Sequence, residues 1–324
     1  MRLSQKGDPY GLCERMAVLT IRSVLCPVDF SEPSRQALRW AATIAQRRGG
    51  ELTVVSVVEP LLAQAAGIRL HVDLAHGDVE PALREFVNAT LPEDVRQASQ
   101  VRTEVTVGDT SEAILQSASR LKSGLIVMGT HGLGGLRKVL LGSTTEQVLR
   151  RTERPVLAVP PGAVSAPAVE HPGVQLKRIL VATDFRESAM AALQWAGSLA
   201  SDINAPILLA HVVEPVLVSP LWQPLVADLD SEHVASARRT LTRLSAAFRD
   251  APNDYVVSVG SPAETIASLA VEHEAGLVVM GLANAEDSAL RRPGSIAYHV
   301  LRIAHVAVVV VPHSATPAAL DQAS

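Results

Sequence analysis

Short apolar runs recur along the chain, each followed by a longer stretch in which apolar positions return every three or four residues. In the first half the runs are Ile21–Val28, Leu52–Val58, Arg102–Val107, Leu125–Met128 and Val156–Val159. Short and rich in β-branched residues, they predict strands. The stretches Pro33–Arg47, Glu80–Leu91, Ser111–Leu121 and Ser143–Arg151 predict amphipathic helices. Ser31 ahead of Ser34, and Ser111 ahead of Glu112, are the expected helix starts. Regular alternation of strand and helix predicts a parallel sheet wound on both faces.

The pattern is written twice. Cys26–Phe30 (CPVDF) is matched by Val181–Phe185 (VATDF), Trp40 by Trp195, and Val57-Val58-Glu59-Pro60 by Val212-Val213-Glu214-Pro215, all at an offset of 155. Farther on, Gly124–Gly129 (GLIVMG) is matched by Gly276–Gly281 (GLVVMG), and Pro160 by Pro312, at an offset of 152. The second copy has therefore lost three residues between Pro215 and Val259. A repeat this long is a duplicated domain and not a solenoid unit. The expected domains are 17–162 and 174–314, with a Pro- and Gly-containing linker over Pro161–Gly173 and a fraying tail after Pro312. Met16 stands just ahead of the first copy as an alternative start.

Composition narrows the functions. Aromatics are only 3% of the chain, which suits aliphatic cores and gives no stacking platform for single-stranded nucleic acid. A net charge of −4 without a basic run leaves no footprint for duplex binding. No run of about 18 apolar residues predicts a membrane span, and no signal core is visible, so a cytoplasmic location is expected. Cys13 and Cys26 do not form a disulfide framework.

The chemistry concentrates in Gly129–Ser143 (GTHGLGGLRKVLLGS), which follows one predicted strand and opens a helix. Glycines let a backbone approach a polyphosphate, and a helix start offers free N–H groups to an anion. The bland alternative is a surface loop with a helix cap at Ser143. Neither a P-loop nor the Rossmann fingerprint is present, since Arg137 stands where the latter needs its third glycine. His71, Asp73, His76 and Asp78 lie close in sequence and read as a solvated loop in preference to a metal site; His131 reads as a surface residue, and Trp40 and Trp195 as packing residues.

Gly129, Gly132, Gly142 and Ser143 fit the spacing G-x2-G-x9-G-[ST]. With Pro27-Val28-Asp29-Phe30-Ser31, Ser56-Val57-Val58-Glu59 and Pro155–Pro160, this resembles the universal stress protein family over nearly the whole chain. The resemblance implies two tandem doubly wound α/β domains of the adenine nucleotide alpha hydrolase-like kind, each a five-stranded parallel sheet with helices on both faces. It implies ATP, with or without magnesium, as ligand: Asp29 on the ribose or adenine end, Pro27 and Val57 lining the adenine, Met128 and Gly129 flooring the site, and Gly132, Gly142, Ser143 and Thr144 on the phosphates. Asp29 has a second reading, as the cap of the next helix. The family's last-strand pairing implies an intramolecular pseudo-dimer joining Val156–Val159 to Val306–Val311; a homodimer of whole chains is left open.

The second copy keeps Asp184, Val212, Met280, Gly281, Gly294 and Ser295, but Asn284 replaces the middle glycine and Ala182 the proline. Glu286 and Asp287 in its loop are unfavourable beside phosphates. Weaker nucleotide binding is expected there. The functional expectation is an ATP-binding stress-response sensor or regulator with a protein partner that the sequence does not identify. The alternatives are a slow ATP hydrolase or nucleotide-dependent transferase, and a scaffold that binds no nucleotide.

Overall fold

The expected alternation is built as follows in the first half: β1 (Ser23–Pro27), α1 (Glu32–Arg48), β2 (Glu51–Val58), a π-helical turn (Leu74–Val79) leading into α2 (Glu80–Thr90), α3 (Glu93–Ala98), β3 (Arg102–Val107), α4 (Thr110–Arg120), β4 (Leu125–Gly129), α5 (Ser143–Arg151) and β5 (Val156–Val159). The second half runs β6 (Ile179–Ala182), α6 (Glu187–Ile203), β7 (Ile207–Val213), α7 (Gln223–Ser245), β8 (Asn253–Val259), α8 (Pro262–Glu272), β9 (Leu277–Leu282), α9 (Ser295–Ile303) and β10 (Ala307–Pro312). This computed structural model describes residues 21–61, 74–130, 141–163, 176–216, 218, 223–246, 253–282 and 295–313, with backbone alone at 74–76, 223–228 and 295. Most of the expected linker and all of the tail beyond His313 lie outside the described residues.

Local chemistry sets the helix ends. Ser31 Oγ accepts from the Ser34 N–H at 3.3 Å, and Pro33 sits in the first turn of α1, where its missing donor costs nothing. The helix ends at Gly49 in the left-handed region, φ 60°. Its counterpart α6 is also 17 residues long and ends on Asn204 at φ 51°, the side chain that tolerates that region best after glycine. The expected start of α4 at Ser111 is corrected. Asp109 caps this helix, accepting from the Glu112 N–H at 3.0 Å, and Ser111 lies inside the first turn, donating its hydroxyl to the same carboxylate. A carboxylate outcompetes a hydroxyl for a backbone donor because the hydrogen bond is charge-assisted. The short α3 was not expected either; six residues after Pro92 carry too little apolar periodicity to announce a helix.

The Asp109 carboxyl is held below the ordinary carboxylate range, first by the Glu112 N–H and then by the Ser111 hydroxyl. A depressed carboxyl contributes stability above its unfolded pKa and loses it as pH falls through the folded value. Asp109→Asn is therefore expected to make the acid-induced fall in unfolding midpoint shallower below about pH 4, in melts taken between neutral and acid pH. An unchanged acid limb would remove Asp109 from the acid response.

Among the described residues ten strands form one sheet in the order β3-β2-β1-β4-β5-β10-β9-β6-β7-β8. Pairing is parallel within each half and antiparallel only at β5–β10, where Val308, Val309 and Val310 lie opposite Ala158, Leu157 and Val156. The expected pseudo-dimer is present, with β10 one residue later than expected. One contact thus covers two strand edges that would otherwise be open to pairing with other chains.

Each face of the sheet carries one core, and each core runs through both halves. On the α1 and α6 face, Val24, Cys26, Leu157 and Val159 continue into Val181, Val279 and Val309, under Trp40 and Trp195. On the other face, Leu25, Ile126, Val156 and Ala158 continue into Leu180, Val278, Val308 and Val310. Burial pushes the Cys26 thiol pKa far up, so it stays protonated and inert. Because neither core stops at the domain junction, the halves are expected to unfold in one transition, with calorimetric and van't Hoff enthalpies equal. Two resolved calorimetric transitions would contradict this.

Candidate functional site

The chain leaves β1 in one direction, to β2 and β3, and returns on the other side at β4. Neighbouring loops therefore diverge between the carboxyl ends of β1 and β4, opening the crevice where sheets of this kind take ligands. Side chains alternate along a strand, so residues two apart share a face. Pro27 shares the face of Leu25, Val57 that of Val55, and Met128 that of Ile126, all on the α4 and α5 side. Pro27 and Met128 are buried, while Val57 and Asp29 are half-buried at the rim. The sequence-predicted adenine-side residues are thus brought together.

Asp29 does not cap α1 itself. Its Oδ1 accepts from the Ser31 N–H at 3.1 Å and the Ser31 hydroxyl at 2.5 Å, and Ser31 is the cap. The carboxylate is fixed by the residue that starts the helix. Between them Phe30 adopts φ 65°, a region unfavourable for a bulky residue, and its ring meets Phe86 edge-on at 5.5 Å. Phe185 adopts the same φ in the second copy and stacks on His211 at 4.4 Å. Shared strain at the same turn is the device that redirects strand into helix and leaves an aspartate at the sheet's rim.

The other wall is the start of α5. Gly142 N–H donates to Thr130 O at 2.8 Å, and the first intrahelical bond runs from Glu146 N–H to Gly142 O at 2.9 Å. The N–H groups of Ser143, Thr144 and Thr145 precede that bond, and among the described residues no side chain caps this helix, in contrast to α1 and α4. Ser143 is exposed and Thr144 half-buried. Thr145, which sequence reasoning missed, donates its hydroxyl to Gly129 O at 2.9 Å and ties the helix start to the end of β4. Gly132 and His131, with Arg137 and Lys138, lie outside the described residues. Gly129 has a packing role of its own: an added Cβ would come within 3.0 Å of Pro33 Cβ.

The second copy repeats the frame and changes its fittings. Asp184, Val212 and Met280 occupy the same strand ends, and Ser295 opens α9; Asn284 and Gly294 lie outside the described residues. Arg186 stands where the first copy has Ser31, and its Nε approaches Asp184 Oδ2 at 3.7 Å while its N–H donates to Oδ1 at 3.0 Å. Leu282 stands where the first copy has Thr130, and Ala297 where it has Thr145, so the hydroxyl that ties α5 to β4 has no counterpart at Ala297. These losses were readable from the 152-residue offset once the role of Thr145 was visible. Among the described residues no cluster of His, Cys, Asp and Glu could hold a metal, and the His71 to Asp78 group falls largely outside them. No helix among the described residues is long and apolar enough to cross a membrane.

The model of the universal stress protein family matches residues 20–160 and 175–312. Universal stress protein MJ0577 of Methanocaldococcus jannaschii is 27% identical over 153 residues, covering 43% of this chain and 94% of that protein. Universal stress protein Rv1996 of Mycobacterium tuberculosis is 26% identical over 283 residues, covering 80% of this chain and 84% of that protein. The crystal structure of a universal stress protein from Archaeoglobus fulgidus superposes with a TM-score of 0.57 at 21% identity, over 91% of this chain and 97% of that one, a likeness of fold.

Proposed function

The chain belongs to the universal stress protein family, and on that premise we propose that it is an ATP-binding regulator whose nucleotide site lies chiefly in the first domain. The observation that carries this reading is the meeting, at one strand-order reversal, of Pro27, Asp29, Val57 and Met128 with the uncapped start of α5 at Gly142, Ser143 and Thr144. The donor set fits an adenine nucleotide. A rim carboxylate suits ribose hydroxyls, apolar strand ends suit a base, and backbone N–H groups at a helix start suit phosphate oxygens. Gly132, expected beside the phosphates, completes the proposed set, with magnesium as an optional counter-ion. When bound, the nucleotide supplies a polyanion whose terminal phosphate can report energy status.

This chain's own contribution is to hold and orient. Asp29 is steadied by Ser31, and Thr145 holds the helix start against Gly129 O. Among the described residues at the crevice no group is placed as a general base, and the reading offered is of a sensor. The corresponding site of the second domain binds more weakly in this account, because Arg186 engages Asp184 and the hydroxyl tie that Thr145 makes in the first copy has no counterpart at Ala297.

The test uses the whole chain. ATP at a hundred times its Kd should stabilise the protein by about 2.7 kcal/mol and raise the unfolding midpoint, with no phosphate released over the same period. Thr145→Ala should diminish the ATP-induced rise, because the helix start loses its anchor. Phosphate release matched to ATP consumption would make the chain an enzyme, and an unmoved midpoint at millimolar ATP would end the nucleotide reading.

A further inference from the structure

Where the two halves meet, α1 of the first domain and α6 of the second approach across the β5–β10 junction, and an ion pair joins them. Arg48 Nε lies 2.6 Å from Asp202 Oδ2, and Arg48 Nη2 donates to Ser198 Oγ at 3.3 Å. The Nε contact is an ion pair whose geometry falls short of an aligned hydrogen bond. The Arg48 side chain is only 3% exposed, against 31% for Asp202. Burial pulls the Arg48 pKa down and Asp202 pulls it back up; a guanidinium so placed keeps its charge.

The contact is made once, although the frame is nearly two-fold. At the 155-residue offset, Arg48 corresponds to Ile203, Asp202 to Arg47 and Ser198 to Thr43. Each possible pairing of halves can therefore be read. First domain with second gives Arg48 a carboxylate and a hydroxyl. First domain with a first domain from another chain would bring each Arg48 to the other's Arg47 and Thr43, leaving two arginines beside like charge. Second domain with second would set Ile203 beside Asp202. A buried arginine without its carboxylate is strongly unfavourable, and like charges brought together add to that.

We propose that Arg48, with Asp202 and Ser198, makes the junction surface of the first domain specific for the second domain and rejects a second copy of the first. One other junction contact points the opposite way. Arg150 stacks over Tyr298 at 5.8 Å, and Tyr298 corresponds to Glu146, so two first domains would gain an Arg150–Glu146 attraction there. That pair would be exposed and screened, because Arg150 is 65% exposed, whereas Arg48 is buried; the buried site decides. This inference concerns assembly and stands independently of nucleotide binding.

The test is charge reversal in the full chain, read by sedimentation velocity and by unfolding midpoint. Arg48→Glu would face Asp202 within the chain but Arg47 of another chain, so it should lower the midpoint and raise the mass above that of wild type at equal concentration. Adding Asp202→Arg should return both readings towards wild type. Arg48→Met, which leaves only the part-exposed Asp202 unpaired, should keep the wild-type mass. Asp202→Ala strands the buried arginine and should lower the midpoint by about 5 °C, more than Arg48→Met does. If Arg48→Glu does not fold, the comparison of Asp202→Ala with Arg48→Met still decides. Equal midpoints for those two, wild-type mass for a folded Arg48→Glu, or no recovery in the double variant would each overturn the proposal.

Discussion

Asp29→Ala is expected to weaken ATP binding roughly ten- to a hundredfold. A hydrogen bond to a charged acceptor contributes about 1.5–3 kcal/mol, and each 1.4 kcal/mol is a factor of ten in Kd. Because Asp29 also accepts from the Ser31 N–H and hydroxyl, its loss loosens the start of α1 as well, by about 1 kcal/mol if the cap is lost. Affinity and stability should therefore fall together. Ser31→Ala separates them: it removes the cap hydroxyl, costs a similar stability, and leaves the carboxylate at the rim. The two variants should match in unfolding midpoint and differ in affinity by at least about tenfold. Equal affinities in both would confine Asp29 to steadying Ser31 at the start of α1.

Gly281→Ala should be among the most damaging small substitutions in the chain. An added Cβ would lie 2.5 Å from the Ser188 carbonyl carbon and oxygen and 2.7 Å from the Ala189 nitrogen, all backbone of α6. Relief requires moving the helix off the sheet, at about 2–4 kcal/mol, seen as a drop of roughly 5–10 °C in midpoint. Gly129→Ala meets Pro33 at 3.0–3.1 Å and should cost less, about 1 kcal/mol. A wild-type midpoint for Gly281→Ala would refute the packing argument. The result bears on function, because a glycine needed under a helix is retained whether or not nucleotide is bound. Gly281 by itself is no sign of a working second site.

That double duty explains what could be read from the chain and what could not. The strand runs were legible because buried parallel strands need little besides Val, Ile and Leu, and the two constant offsets made the duplication plain. The residues gathered at the crevice followed from motif spacing and strand-end position. Other features live in contacts between distant segments and leave no local signature. Asp109 displaced Ser111 as a cap because charge strengthens the bond to Glu112 N–H, which a residue-type preference does not weigh. Thr145 looked like one more helix residue until its hydroxyl was seen on Gly129 O, and only then did Ala297 become informative. The Arg48–Asp202 pair joins residues with no shared periodicity, so only the folded junction reveals it.

The most direct test of the account is isothermal titration of the full chain with ATP, repeated on Asp29→Ala and on Asp184→Ala. The wild type should bind close to one equivalent per chain in its tight phase, Asp184→Ala should keep that phase unchanged, and Asp29→Ala should lose it. Two equal equivalents in the wild type, or a tight phase lost with Asp184 and kept without Asp29, would contradict a nucleotide site built chiefly in the first domain.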